Sequence, residues 1–286
     1  MNGVGLGVSL MLGQQVFFTA ETIIVHQIGG SLGLMQIALL RCIGGLLLVV
    51  VLTRGCLRSA LTTGQLRLQL ARGLTSAGYL GVFAYSFTAL PLTDATALGY
   101  ATALYMVLFA PLLLGERVGM QRWIAVGTGL AGAMMIVRPG FQTFSTAYLW
   151  VLAGTALNGL ATVLTALLQR RDSPLTVMLY LNLVGIFCFM PGAAYSASSA
   201  RLSPWMFGLL VFGPVGQYLG ILALRYAEVS TLAPCNYIRL VLASAAAFLI
   251  FGEAPDGWSI AGASIIFAGC VLAVPAPRRA IGSVTK

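Results

Sequence analysis

Few side chains in this chain can do chemistry, and most of them stand in apolar surroundings. Arg239 sits midway along an apolar run. A guanidinium there could clamp a carboxylate through two parallel N–H···O bonds, or could instead bond a helix-end carbonyl or reach an interface along its own stem. Glu21 is the carboxylate that falls within such a run, near its end. Burial would favour its protonated form, so it could exchange a proton with a changing environment, or it could simply be solvated at a cavity mouth. Gln14, Tyr79 and Asn158 fall near the centres of their runs, while Gln217 and Asn236 lie closer to one end. An amide offers both donor and acceptor, which suits a zwitterionic or heterocyclic ligand; the plain alternative is helix-to-helix pairing worth ~0.6 kcal/mol. Tyr100 and Tyr237 each lie roughly 10 Å past the start of a run at 1.5 Å per residue. That is too deep for an aromatic belt, so they could line a ligand path from opposite ends, gate it, or pack with a bonded hydroxyl. Arg41 reads as structural, holding a connector or a carbonyl.

The elements that position these groups follow from composition. The chain is 59% hydrophobic and 8% charged, against roughly 25% charged for a soluble domain, which makes it an integral membrane protein. Ten runs, at 4–25, 32–52, 70–90, 93–114, 121–138, 147–168, 174–196, 204–224, 229–250 and 258–275, are apolar enough to cross a bilayer. Each should be helical, since backbone amides in lipid must be satisfied internally and no run alternates like a barrel strand. With the N-terminus inside, the inner connectors and tail hold Arg54, Arg58, Arg67, Arg72, Arg117, Arg122, Arg170, Arg171, Arg225, Arg278, Arg279 and Lys286, and the outer side only Arg138 and Arg201. This positive-inside bias gives cytoplasmic N- and C-termini. It also accounts for the +9 balance without a nucleic-acid partner. The first run lacks a basic leader and is too long for a cleaved signal.

The chain repeats itself. Leu114-Gly115-Glu116 returns as Phe251-Gly252-Glu253, 137 residues on (115 to 252), and the same offset places Thr93 on Ser230, Tyr100 on Tyr237, Gly132 on Gly269 and Val137 on Val274. An odd number of spans separates the copies, so they face opposite sides of the bilayer. Two inverted-topology five-helix repeats, residues 1–138 and 147–277, flank a linker at 139–146, with a tail at 278–286. Secondary transporters share this architecture, with the ligand near the mid-plane between halves. Pro214, Pro111 and Pro234 would loosen or kink spans 8, 4 and 9 and could serve as hinges.

The segment Phe87-Thr-Ala-Leu-Pro-Leu-Thr-Asp-Ala-Thr-Ala, Pro111, Leu-Gly-Glu-Arg and a glycine-rich fifth span closing at Arg138-Pro139-Gly140 resemble the EamA family of the drug/metabolite transporter (DMT) superfamily. The second half repeats the pattern more loosely from Arg225-Tyr-Ala-Glu-Val-Ser, and Arg41 matches a family habit. Offset by 137, Arg41 meets Met178 and has no symmetric counterpart. The resemblance implies that spans 1, 3, 4, 6, 8 and 9 surround a central cavity. Gln14, Tyr79, Tyr100, Asn158, Gln217, Asn236, Tyr237 and Arg239 would then be substrate-binding, Glu21 a coupling residue, and Arg41, Glu116 and Glu253 structural. Among characterised members the chain is similar to YddG-type amino-acid exporters. The expected activity is secondary transport of a small-molecule substrate, most simply an amino acid, by alternating access in a bacterial inner membrane. Nucleotide-sugar or multidrug and vitamin carriers of the same fold are the alternative.

Other classes fare worse. No GxxxxGK[ST] sequence provides for ATP, and no GxSxG elbow, HExxH or pair of membrane aspartates provides for an intramembrane enzyme. A channel would need a filter or charged ring. Cys42, Cys56, Cys188, Cys235 and Cys270 lack metal or disulfide spacing, so neither a metal nor a cofactor is expected. Gly127 to Gly132 fits GxGxxG but follows no strand, and reads as a packing face. Ten helices suffice to enclose a cavity in a monomer.

Overall fold

The computed structural model describes residues 3–28, 32–140, 146–195, 204–251 and 256–273. Among them the chain is helical, with no strand. The helices are α1 (Gly3–Ile28), α2 (Leu34–Leu52), α3 (Arg58–Leu61), α4 (Leu66–Ala89), α5 (Leu92–Gly99), α6 (Thr102–Leu114), α7 (Met120–Val137), α8 (Thr146–Leu168), α9 (Pro174–Tyr195), α10 (Trp205–Tyr226), α11 (Val229–Leu232), α12 (Ile238–Phe251) and α13 (Gly257–Ala273). Seven helical segments among the described residues are long and apolar enough to cross a membrane: Gly3–Ile28, Leu34–Leu52, Asp94–Leu114, Thr146–Leu168, Pro174–Ala194, Trp205–Tyr226 and Val229–Leu249, with Gly257–Leu272 a shorter apolar helix. The protein is therefore a multi-pass membrane protein. Helix α4 carries Arg67, Gln69 and Arg72 in its first two turns, and α7 opens on Gln121 and Arg122, which makes these two the more polar long helices.

Two of the runs expected as single helices are broken. Residues 92–114 divide at Tyr100 and Ala101 into α5 and α6. Tyr100 and Ala101 donate to Ala97 and Leu98, Ala103 and Leu104 donate to Tyr100 and Ala101, and the Thr102 hydroxyl donates to the Gly99 carbonyl. Three-residue bonds have replaced the α ladder, with a side chain competing for a backbone acceptor. Pro111 lies inside a continuous α6, clear of the break. Residues 229–251 divide into α11, a 3-10 turn over Ala233–Tyr237 and α12; here Pro234 does lie in the break, where it has no N–H to contribute. Pro214 is accommodated inside a continuous α10. The two breaks meet at positions related by the 137 offset, Tyr100 and Tyr237.

Packing follows the same offset. Helix α1 lies on α10 as α8 lies on α4, α10 meets α2 as α4 meets α9, and α6 meets α8 as α12 meets α1. The pairs α2 with α9 and α7 with α13 exchange with themselves. At the α7–α13 crossing, a Cβ on Gly132 would stand 2.7 Å from the Gly262 carbonyl oxygen, and one on Gly269 3.0 Å from that of Ala125. Only small residues permit such backbone approach. Gly129 likewise lies against the Tyr237 ring, so the GxGxxG segment is a packing face. Helix α6 ends at Gly115 in the left-handed region (φ 70°), whose N–H reaches the Pro111 carbonyl. A side chain there would be strained.

Candidate functional site

The polar centre of the molecule is built on Phe18 of α1. The Arg41 guanidinium from α2 stands 4.8 Å from the ring centroid and that of Arg239 from α12 stands 5.6 Å away. Arg41 has an acid: its Nε lies 3.5 Å from Glu21 Oε1, with the Glu21 side chain 8% exposed against 34% for Arg41. Glu21 fits here because α10 opposes it with Gly213, where a Cβ would sit 2.4 Å from Oε1. Arg239 has no carboxylate partner among the described residues; its Nη2 donates to the Thr22 hydroxyl at 2.7 Å. Two cations and one anion leave the cluster with an excess positive charge over an aromatic face.

Two tyrosines border this cluster. Tyr79 of α4 lies within electrostatic reach of Arg239, Arg41 and Tyr100, and Tyr100 within reach of Arg239. Tyr100 and Tyr237 do not stand at opposite ends of a path: their rings meet, centroids 6.1 Å apart and planes tilted 33°. Tyr237 is fully buried in the main apolar cluster, and its hydroxyl has no partner. Tyr100 is the half-buried member of the pair. The helix breaks thus deliver one tyrosine towards the arginines and one into the core.

The amides separate in a similar way. Asn158 of α8 points to the Thr102 hydroxyl (3.5 Å) at the start of α6. At the 137 offset, Asn158 and Thr102 correspond to Glu21 and Arg239, so a neutral polar pair in one half faces a charged set in the other. Asn236, in the 3-10 turn, donates to the Ala233 carbonyl at 3.1 Å and accepts from Gln15 Nε2 at 3.3 Å. Gln15, 2% exposed, is a partner the sequence reading missed. Its neighbour Gln14 packs over Gly220 of α10, with Oε1 buried and without a donor. Gln217 is half-buried on α10. Rotation of 100° per residue separates the two glutamines, and the evenly apolar α1 gives no amphipathic stripe to say which faces inward.

The ends of the bundle are tied by acids. Glu116 accepts from the Val229 N–H (2.9 Å), the Ser230 N–H (3.1 Å) and the Ser230 hydroxyl (2.6 Å). It caps α11, which has no capping side chain of its own. Arg122 adds an ion pair to Glu228 and a bond to Ser230 Oγ. At the other end Asp94, also missed, accepts from the Gly140 N–H (2.8 Å) and the Tyr148 hydroxyl (2.6 Å), joining α5 to the end of the first half and to α8. Asp256 pairs with Arg138. The Ser259 hydroxyl, then Arg138 and the Ser259 N–H, hold its carboxyl down at about 2. Glu253 lies outside the described residues. Among the described residues no group of three or more His, Cys, Asp or Glu could hold a metal, and all five cysteines are free.

Comparison with known proteins gives a consistent picture. The profile described as the EamA-like transporter family matches residues 5–138 and again 145–274. Similar proteins include an S-adenosylmethionine uptake transporter of Rickettsia prowazekii (24% identical, 79% of this chain and 78% of that protein). A riboflavin transporter of Rhizobium johnstonii is 33% identical over 65% of this chain and 64% of its own. The pseudopaline exporter CntI of Pseudomonas aeruginosa is 27% identical over 93% and 94%. A crystal structure of another protein superposes with a TM-score of 0.80 at 18% identity, over 93% of this chain and 96% of that one, which speaks to the fold alone.

Proposed function

We propose, from the premise that the chain belongs to the EamA-like transporter family, that it carries small metabolites bearing a carboxylate, amino acids foremost. The observation that carries this reading is Arg239. Its guanidinium lies at the polar centre with a hydroxyl and an aromatic face for company and no acid among the described residues. A carboxylate offers bidentate geometry and opposite charge, and Tyr79 and Tyr100, both within electrostatic reach of Arg239, are the side chains we assign to the rest of the ligand. The related proteins are named for uptake or export of small molecules.

The architecture we infer is ten spans in two inverted five-helix modules, 1–138 and 147–277, with both termini cytoplasmic in a bacterial inner membrane. The exchange of packing pairs under one offset and the matched helix breaks support it, as does the clustering of arginine in the expected inner connectors. One module rocks on the other about the α7–α13 crossing, and one chain suffices for the cycle. Glu21, engaged by Arg41, is the group through which proton movement could couple to that cycle.

Counterflow in proteoliposomes tests the reading. Carboxylate metabolites should exchange saturably and their amides should not. Arg239→Gln should cost roughly 30-fold or more in apparent affinity, the lower end of ~2–5 kcal/mol for an orphaned charge pair, with Arg239→Lys intermediate. Equal exchange of acids and amides by the parent protein refutes it. A second reading, a vitamin carrier, is supported by the riboflavin-transporter relative and by the Phe18 ring beside both arginines. Riboflavin that exchanges independently of Arg239 would favour that reading.

A further inference from the structure

Arg72 is a second arginine with no acid. It lies about 9 Å inside α4, counted from Leu66 at 1.5 Å per residue, rather than in the preceding connector as its charge class implies. Its Nε donates to Thr165 Oγ1 of α8 at 2.8 Å and its Nη1 to Ser76 Oγ. The Thr165 hydroxyl proton is itself directed to the Ala161 carbonyl at 2.8 Å, so this oxygen serves the guanidinium as an acceptor only. No ion pair among the described residues includes Arg72. A guanidinium carries five N–H donors, and two hydroxyls leave the others open. The residue as a whole retains partial exposure.

The neighbourhood is also short of partners in the opposite sense. One turn before Arg72, Gln69 is fully buried; its Nε2 reaches Asp172 at 2.8 Å, while its Oε1 has no donor. One turn after Thr165, Gln169 donates to the Ile221 carbonyl at 2.6 Å, and its Oε1 too has no donor. Buried polar groups are normally satisfied. Both glutamines lie one turn towards the helix ends from the Arg72–Thr165 contact, so the polar patch runs on from the cation to that end of the bundle.

The fold does not require this polarity. Applying the 137 offset, Gln69 and Arg72 correspond to Met206 and Leu209, and Thr165 and Gln169 to Ile28 and Leu32. Those four belong to a single apolar cluster with Ile24. The same place in the second half is a dry hydrocarbon plug. A charge where the scaffold accepts leucine is costly in a membrane protein and by default points to function.

We propose that Arg72, with Thr165 and Ser76, is a second anion-binding station at the α3–α8 end of the bundle, taking the carboxylate of the cargo on its way to or from Arg239. Ser76 and Tyr79 lie one and two turns further along α4, so they mark the route between the two cations, while Asn158 marks it on α8. The proposal rests on the transport reading for its direction, but the binding chemistry stands apart from it.

The test uses the purified full chain in detergent, the arginine reagent phenylglyoxal, and mass spectrometry to follow adduct formation at Arg72. Benzoate is the carboxylate probe and benzamide its neutral counterpart. Benzoate at about ten times its dissociation constant should slow modification of Arg72 roughly tenfold by mass action. Benzamide should leave it unchanged, and the protection should persist in Arg239→Gln. An Arg72 that is never modified, equal protection by benzamide, or protection lost in Arg239→Gln overturns the proposal. Protection without any counterflow would keep the station and sink the transport reading; counterflow without protection would do the reverse.

Discussion

Glu116 should be worth more to this protein than a surface carboxylate ordinarily is. It provides three hydrogen bonds to residues 113 and 114 positions away, at 2.9, 3.1 and 2.6 Å. Val229 and Ser230 are both buried, so in Glu116→Ala their N–H groups lose a charged acceptor with little water to replace it. A lost cap costs about 0.5–2 kcal/mol, and an unsatisfied buried donor about 1–3 kcal/mol. Overlap between these two descriptions of one event puts the total near 2–3 kcal/mol. Glu116→Gln keeps an acceptor oxygen and should cost about half as much. At about 2–4 °C per kcal/mol for a chain of this size, the apparent Tm in detergent should fall by roughly 5–10 °C for Ala and by less for Gln. Combining Glu116→Ala with Ser230→Ala should show a coupling of about 1 kcal/mol, because both remove the 2.6 Å bond. Additive losses, or a Glu116→Ala variant melting within about 1 °C of its parent, would refute the reasoning.

Three further outcomes follow from the packing and the charges. Gly132→Val drives a side chain into the Gly262 carbonyl and should destabilise by about 1–3 kcal/mol, whereas Gly127→Ala, with nothing within 4 Å, should be neutral in the same melt. Tyr237→Phe removes a buried hydroxyl that has no partner and should leave stability unchanged or raise it by about 1 kcal/mol; a clear loss would mean the hydroxyl is bonded. Asp256 has a depressed carboxyl, held at about 2 by Ser259 and Arg138. Its stabilising contribution is therefore complete above its ordinary value near 4 and lost as the pH falls towards about 2. The gap in Tm between the parent and Asp256→Asn should close over that window, and a gap constant down to the lower limit would contradict it.

Much of this molecule was legible in its sequence, for identifiable reasons. The 137 offset is written in glycines and turn residues whose backbone roles leave few substitutes, so it survived where side chains diverged. Arg239 stood out because a mid-span cation has nowhere ordinary to go. The break at Tyr100 went unread although Gly99, Thr96 and Thr102 around it are weak helix formers, because the bonds that interrupt it are local competitions of Thr102 with the backbone. Its correspondence with the turn around Pro234 is a second signal for it. Arg72 was misplaced because counting charges by connector treats every arginine near a span end as solvated. Gln15 and Gln14 differ by one helical step, and choosing between them requires knowing that the 3-10 turn carrying Asn236 lies beside α1.

Helix α4 has a consequence for how the protein comes to be made. It carries Arg72 about 9 Å past its first residue, and an arginine within a span raises the cost of insertion, by up to roughly 2.5–3.5 kcal/mol at a helix centre. The neighbours that offset this, Thr165 on α8 and the close-packed face of α9, leave the ribosome only after the whole first half has been synthesised. The nascent amino-terminal half is thus incomplete in a literal sense: until α8 is made, Arg72 lacks the Thr165 acceptor that the folded chain gives it.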